Sequence, residues 1–392
     1  MADVGLNEIA AVADTCEQVI DTLRRTVFAP TGQKALHLTF NVNTAAMMAG
    51  RSDNLIREAE RDGRLPAPRL DENGRRLGYT LGEVNKMRDT FGTRPSRAPE
   101  EEAILLAVQN FKGGVGKSTC SAHFAQYMAL QGYRVLLVDC DSQASVTTWH
   151  GLNPDLDVGD GDTIYPFLIG GDVDTLRRAI RQTHWDGLDL LPANLGLYTA
   201  EYQIAAMLRG QPLMLDRLRA GLRAVSENYD VVVMDPPPAL GMISLSVLRA
   251  ADAIVIPCPP TIIDFCSTSH FLRMLVETLG ELERFGLGRD YRFVKLLATK
   301  SMEGKGTQTE ILRMMSQTLS AHMMQAQLKD SAEFDNASLR LQTVYELSSA
   351  TTSRQTFKRC RSYLDSVNRE LELEIRKLWP SHHERLRDEG LL

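Results

Sequence analysis

The stretch Gln109-Asn110-Phe111-Lys112-Gly113-Gly114-Val115-Gly116-Lys117-Ser118-Thr119 limits what this chain can fold into more than any other. An apolar run, Ala103 to Val108, precedes it and reads as a buried strand. Ala122 to Leu130 follows, with apolar positions at helical spacing. Strand, glycine loop and helix, in that order, are the setting of a phosphate-binding loop. The glycines let backbone N–H groups wrap a polyphosphate without Cβ clashes, and the following helix points its positive dipole end at the phosphates. On this reading Gly113, Gly114, Val115, Gly116 and Thr119 belong to the cradle. Lys117 reaches the β- and γ-phosphates, and the Ser118 hydroxyl ligates Mg²⁺. The expected ligand is a nucleoside triphosphate.

Strand and helix patterns alternate from Ala103 onward, which predicts an α/β fold with a mostly parallel sheet covered by helices on both faces. Further strands are expected at Tyr133–Val138, Asp230–Met234, Ala253–Ile256 and Phe293–Ala298. Asp139, Asp141 and Asp235 fall at or just beyond the carboxyl ends of such strands, where ligands gather in open α/β sheets. Asp235 is placed to hold Mg²⁺ directly or through water. Lys300 to Gly306 is expected to form a loop at the rim of the site, and Ser353 to Trp379 a long final helix.

The region before the strand divides into smaller pieces. Leu6, Ile9, Ala13, Cys16, Ile20, Leu23 and Val27 recur at spacings of three and four, giving a helix that stops near Pro30. The stripe suits either a dimer-forming arm or packing on the chain's own domain. From about His37 to Phe91 the pattern is helix, tight turn, helix, hairpin and helix. Ser52 and Thr80 are the expected N-caps, and Asn73-Gly74 the hairpin turn. That order is a winged helix-turn-helix plan. Residues 36–98 carry eleven Lys or Arg against eight Asp or Glu, a local +3 within a chain of net charge −6. Arg51, Ser52, Asn54 and Arg57 would sit at the exposed start of a recognition helix, with Arg75 and Arg76 on the wing. The alternative is a solvated surface around a protein-binding module. The expected division is therefore 1–35, an N-terminal helix; 36–92, the winged unit; 93–102, a linker; and 103–392, the nucleotide-binding domain.

An acidic balance argues against a globally basic nucleic-acid coat but leaves room for a local basic patch. Six scattered cysteines without a CxxC pair read as reduced thiols. Neither a signal peptide nor a membrane-length apolar run is expected. Arg354, Lys358, Arg359 and Arg361 cluster on the last helix. They form a solvated face or, as a group, a surface for sequence-independent DNA contact.

Lys112 at the head of the loop resembles the second lysine of the deviant Walker A box, Lys-Gly-Gly-x-Gly-Lys-Ser/Thr, of the ParA/MinD ATPases. The segment Asp139-Cys140-Asp141-Ser142-Gln143 is similar to that family's Asp-x-Asp-Pro-Gln box, with Ser142 where proline is usual. The run from Pro257 through Asp264 to Thr268 resembles the matching segment of the large plasmid-partition ParA proteins, among them RepA of repABC replicons. Elements of residues 63–79 resemble the MerR-type fold. The resemblance implies an ATPase that binds ATP or ADP with Mg²⁺ and works as a homodimer. Lys112 would then reach the partner's nucleotide, Asp139 would support the metal, and Asp141 would orient the attacking water. Asp235 to Ser246 would be the second switch. The family's partners are a ParB-type centromere-binding protein, non-specific nucleoid DNA and a specific operator of its own operon, implying a cytoplasmic, nucleoid-associated protein with no membrane role. A membrane-positioning ATPase is disfavoured because Arg385 to Leu392 is short and mixed in charge. An ATP-liganded transcriptional regulator and an ATPase positioning a protein cargo stay open.

Overall fold

The computed structural model describes residues 6–27, 34–208, 211–284 and 286–392. Residues 1–5 and the helix stop expected near Pro30 lie outside them. The core is an eight-stranded sheet of β1 (Ile104–Val108), β2 (Val135–Asp139), β3 (Arg181–Gln182), β4 (Leu188–Leu191), β5 (Val231–Asp235), β6 (Ala253–Cys258), β7 (Phe293–Ser301) and β8 (Leu328–Lys329). Their spatial order is β3-β4-β2-β5-β1-β6-β7-β8, and every pairing is parallel except β3 with β4. β1 therefore lies inside the sheet, with β5 on one side and β6 on the other.

Both faces are covered, which is why the inner strands are unbroken apolar runs rather than alternating ones. Leu105 and Ala107 of β1 point into one core cluster, and Leu106 and Val108 into the other. The five expected strands are present. β3, β4 and β8 were not expected, because two of them are only two residues long and Leu188-Asp189-Leu190-Leu191 carries no β-branched residue. The helix expected around Ala122 to Leu130 runs over Lys117–Gln131, and the final long helix over Arg354–Arg376 with Ser353 as its N-cap. A short helix, His383–Asp388, follows it.

The N-terminal region begins with α1 (Leu6–Val27), none of whose residues is buried. Its stripe is open from Leu6 to Ile20, and only its last turns approach the rest of the chain. There Arg24 donates to the Gly151 carbonyl at 3.1 Å and pairs with Asp157. Next come α2 (Val42–Met48), α3 (Asp53–Arg61) and α4 (Leu81–Phe91), around a small core of their own that includes Ala45, Ile56, Tyr79 and Val84. Ser52 caps α3 through the Leu55 N–H at 3.3 Å, and Thr80 forms a reciprocal capping box with Glu83 on α4. The hairpin is reduced to single antiparallel bridges, Leu70 with Arg76 and Phe40 with Tyr79. Pro66 and Pro68 have no N–H to extend a ladder.

This unit sits against the carboxyl end of α5 (Lys117–Gln131). Arg88 is 2% exposed, and its Nη2 donates to the Leu130 carbonyl at 2.7 Å while Nε donates to Met48 O at 3.1 Å. Arg94 reaches the Gly132 carbonyl at 2.8 Å. A cation on the last carbonyls of a helix complements its dipole.

A buried polar cluster packs beside the middle of α5. His123 Nδ1–H donates to Thr119 O at 2.7 Å, and the His123 Nε2 accepts the Val344 N–H at 3.1 Å. His150 Nδ1–H donates to Val146 O at 2.8 Å. Burial pushes His123 down to about 4. Burial, aided by neighbouring His184 and Lys34, pushes His150 down to about 3. The folded rings stay neutral where the unfolded ones would charge, so the unfolded state binds more protons below pH ~6.5. The stability this provides is complete above that pH and is lost as pH falls toward the folded values, by on the order of 3 kcal/mol per ring. Thermal melts of nucleotide-free protein should show Tm dropping between pH 6.5 and 4.5. His150→Gln should flatten that slope.

Candidate functional site

The loop after β1 and the start of α5 form one continuous turn. Gly114 and Gly116 lie at φ +74° and +98°, a region that side chains rarely adopt, and Gly116 is the N-cap of α5. The first N–H groups of α5 thus have no side-chain cap and are left for an anion. Thr299 of β7 steadies the loop by donating to Val115 O at 2.8 Å.

Strand register brings the carboxylates together. Asp139 ends β2, Asp235 ends β5, and the two are directly paired across the ladder. Both are buried. Burial, reinforced by Asp235, lifts Asp139 to about 8. Burial lifts Asp235 to about 6, opposed by the Ser118 and Ser121 hydroxyls and by Lys117. Asp139 is spoken for. Its Oδ2 accepts the Thr147 N–H at 2.9 Å and the Thr147 hydroxyl at 2.7 Å, and its Oδ1 accepts the Asp141 N–H at 3.2 Å. Thr147 belongs to α6 (Ser145–Trp149), so Asp139 clamps the segment that carries Asp141. Ala144, the N-cap of α6, sits at φ +51°, an uncommon place for a residue with a side chain.

Asp235 differs. Its Oδ1 accepts from the Ser121 hydroxyl at 2.9 Å, while its Oδ2 is buried with no hydrogen-bond partner among the described residues. An orphaned carboxylate oxygen beside the Ser118 hydroxyl is a donor set that fits a hard divalent cation. Lys117 is 7% exposed and donates to Lys112 O at 3.2 Å. Burial lowers its pKa, against the pull of Asp235 and Asp141.

Lys112 does not lie over the cradle. Its Nζ pairs with Asp264, in the first turn of the helix Ile262–Arg284, and Asp264 also holds the Thr261 hydroxyl. Asn110 underlies this arrangement and was not singled out in the sequence. It is fully buried, donates to Pro257 O at 2.9 Å and Thr268 Oγ1 at 3.0 Å, and accepts the Lys112 N–H at 3.2 Å. Glu201 was missed as well. From the helix Leu197–Leu208 it accepts the Met242 and Ile243 N–H groups, and so caps the helix that follows Asp235-Pro236-Pro237-Pro238. A Cβ on Gly241 would lie 2.5 Å from Glu201 Oε2, so the cap needs glycine there. Neither contact has a local signal, since each joins residues far apart in the chain.

The expected DNA-contacting residues are elsewhere. Arg51, Ser52, Asn54, Arg57, Arg75 and Arg76 are exposed on the α2–α4 unit, but the Arg76 guanidinium is already paired, 2.7 Å from Glu60 and 2.8 Å from the Tyr79 hydroxyl. Lys358 and Arg359 are exposed on the first turns of Arg354–Arg376. Arg359 also lines a cavity of about 450 Å³ with Ser301, Lys329 and Tyr363, next to the end of β7. No helix among the described residues is long and apolar enough to cross a membrane.

Asn110→Ala should unpin the loop head from the Ile262–Arg284 helix. Leaving its buried partners unsatisfied should cost about 1–3 kcal/mol of stability. Calorimetric titration should show nucleotide affinity falling on the order of 10-fold, since loop preorganisation is lost.

Comparison with known proteins finds a family model, sequence relatives and a structural neighbour. Residues 103–282 match a family model described as an AAA domain. SopA of Escherichia coli K12 is 35% identical over 315 residues, spanning 78% of this chain and 80% of SopA. A Rhizobium rhizogenes protein that goes by the name replication protein A is 30% identical over 380 residues, 94% of either chain. A solved structure called Partition Protein superposes with a TM-score of 0.65 at 18% identity, over 94% of this chain and 98% of that one. The chain belongs to the ParA family of partition ATPases, with the α/β P-loop fold of that family.

Proposed function

We propose that this ParA-family ATPase segregates DNA by a nucleotide-driven cycle of dimerisation and DNA binding. The observation that carries the reading is the open Asp235 oxygen beside the uncapped start of α5, whose first residue, Lys117, is buried. Residues Lys112–Thr119 bind ATP or ADP. Ser118 and Asp235 hold Mg²⁺, which supplies charge neutralisation at the phosphates. Asp139 supports that metal shell from behind, through its grip on Thr147 and Asp141. Asp141 orients the attacking water. Lys117 offsets charge on the transferred phosphoryl group, and Lys112, released from Asp264, does so for the nucleotide of a second copy. The exposed α1 stripe supports homodimerisation through an arm.

In the ATP state the dimer binds nucleoid DNA without sequence preference, through basic residues that include Lys358 and Arg359. A ParB-type partner stimulates hydrolysis to ADP and phosphate. The α2–α4 unit reads a specific operator through Arg51, Ser52, Asn54 and Arg57, with Arg75 and Arg76 on the wing, and represses the protein's own operon. Among these, Arg76 serves phosphate only after leaving Glu60.

The test is DNA binding by wild type and Lys117→Ala, on random duplex and on DNA upstream of the gene, with no nucleotide, ADP or a slowly hydrolysed ATP analogue. Random DNA should be bound only with the analogue, and only by wild type. Upstream DNA should be bound specifically. Absence of random-DNA binding in every state would sink nucleoid-based segregation and leave a regulator or a protein-cargo role. A second outcome concerns the chemistry. Asp141→Ala should keep ATP affinity within a few-fold while single-turnover hydrolysis slows on the order of 100-fold.

A further inference from the structure

A cavity of about 890 Å³ opens at the opposite end of the sheet from the phosphate loop, between the amino ends of β1 and β6 and the turn at Trp379. Three arginines converge there on one carboxylate. Arg219 Nη1 lies 3.0 Å from Asp252 Oδ1, Arg289 Nη2 lies 3.1 Å from the same oxygen, and Arg223 Nη2 lies 2.6 Å from Oδ2. Asp252 Oδ2 also accepts the Leu105 N–H at 2.9 Å, so its capacity is shared with the backbone. Besides Asp252, the carboxylate paired with this group is Glu102, 3.1 Å from Arg223 and with its own side chain 71% exposed.

Three guanidiniums thus share two carboxylates, while the cavity lining as a whole is balanced, with Arg292 added on one side and Glu101 and Asp290 on the other. Burial and the proximity of Arg219 lower the Arg289 pKa, as expected for a cation crowded by its own kind. Donors are also left over. Arg223 Nε is buried without a partner, and among the described residues Arg219 Nη2 and Arg289 Nη1 have none either. Unused guanidinium donors lining a cavity are the chemistry that recognises phosphoryl oxygens.

We propose that this cavity is an oxyanion site that takes a small phosphorylated molecule. Its volume exceeds what a bare phosphate fills, and Tyr291, Leu378 and Pro380 supply walls for an organic portion. The exposed carboxylates Glu102 and Asp290 at the rim repel an extended polyanion, so duplex DNA is not the occupant.

The experiment is calorimetric titration of inorganic pyrophosphate into the metal-free full-length chain. Wild type should show two sites, one at the phosphate loop and one at the arginines. Lys117→Ala should keep the arginine site. Arg219→Gln with Arg289→Gln should weaken that site at least about 10-fold and keep the loop site. Arg292→Glu, on an exposed side chain lining the same cavity, is the milder variant and should weaken binding several-fold with the fold intact. Loss of all binding in Lys117→Ala would overturn the proposal, as would displacement of its pyrophosphate by a short DNA duplex. Wild type with a single, arginine-dependent site would support the proposal and count instead against the phosphate-loop reading.

Discussion

The register of β2 against β5 is the constraint on which the rest of this molecule turns. It places Asp139 and Asp235 side by side, both buried, at the edge of the glycine loop. Burial resists the ionisation of both and raises both pKa values, with Asp235 adding to the rise of Asp139 and Asp141 to that of Asp235. The chain relieves one of them internally, since Thr147 and the Asp141 N–H satisfy Asp139. The other is relieved only in part, by Ser121, and its second oxygen has no hydrogen-bond partner among the described residues. A fold that tolerates this burial would gain from binding nucleotide and metal together.

The same pair links the site to the segments that would respond to it. Asp139 holds α6 by its first turn, while the last turn of α6 receives Lys34 at the Trp149 carbonyl, and Arg24 at Gly151 just beyond. Lys34 is itself buried against Glu346, so the residue leading toward α2 is fixed to the end of α6. α5 makes a parallel connection. It begins at the phosphate cradle and ends on Arg88 and Gly132, under the α2–α4 unit. Two helices that start beside the glycine loop and the buried aspartates, and finish on cations of the N-terminal region, give those parts a shared mechanical frame.

Much of this was legible in the sequence because it is local. The loop, its flanking strand and helix, Ser52 and Thr80 as caps, and the aspartates at strand ends all follow from patterns within a dozen residues. What stayed hidden depends on distance along the chain. Asn110 meets Thr268 across 158 residues, Glu201 reaches Ile243 across 42, and Lys34 meets Glu346 across 312. Nothing in the neighbourhood of any of these residues marks its partner. Arg76 illustrates the converse. Its place on the wing was readable, but its ion pair with Glu60 was not, so position alone overstated its freedom.

The distribution of apolar surface adds one more step. Leu6, Ile9, Val12 and Val19 are exposed along α1, and Ile262 and Ile263 are exposed in the turn that holds Asp264. The second set adjoins the residue that restrains Lys112, and the first projects from the chain without a core of its own. Aliphatic side chains exposed at a charged site are surface that a second copy could cover. Burying Ile262 and Ile263 against a second copy would also desolvate the Lys112–Asp264 pair. A pair that loses water must either tighten or exchange partners, and an incoming triphosphate offers the lysine more charge than one carboxylate does. Association and release of Lys112 would then be one event, with the nucleotide as the species that makes it favourable.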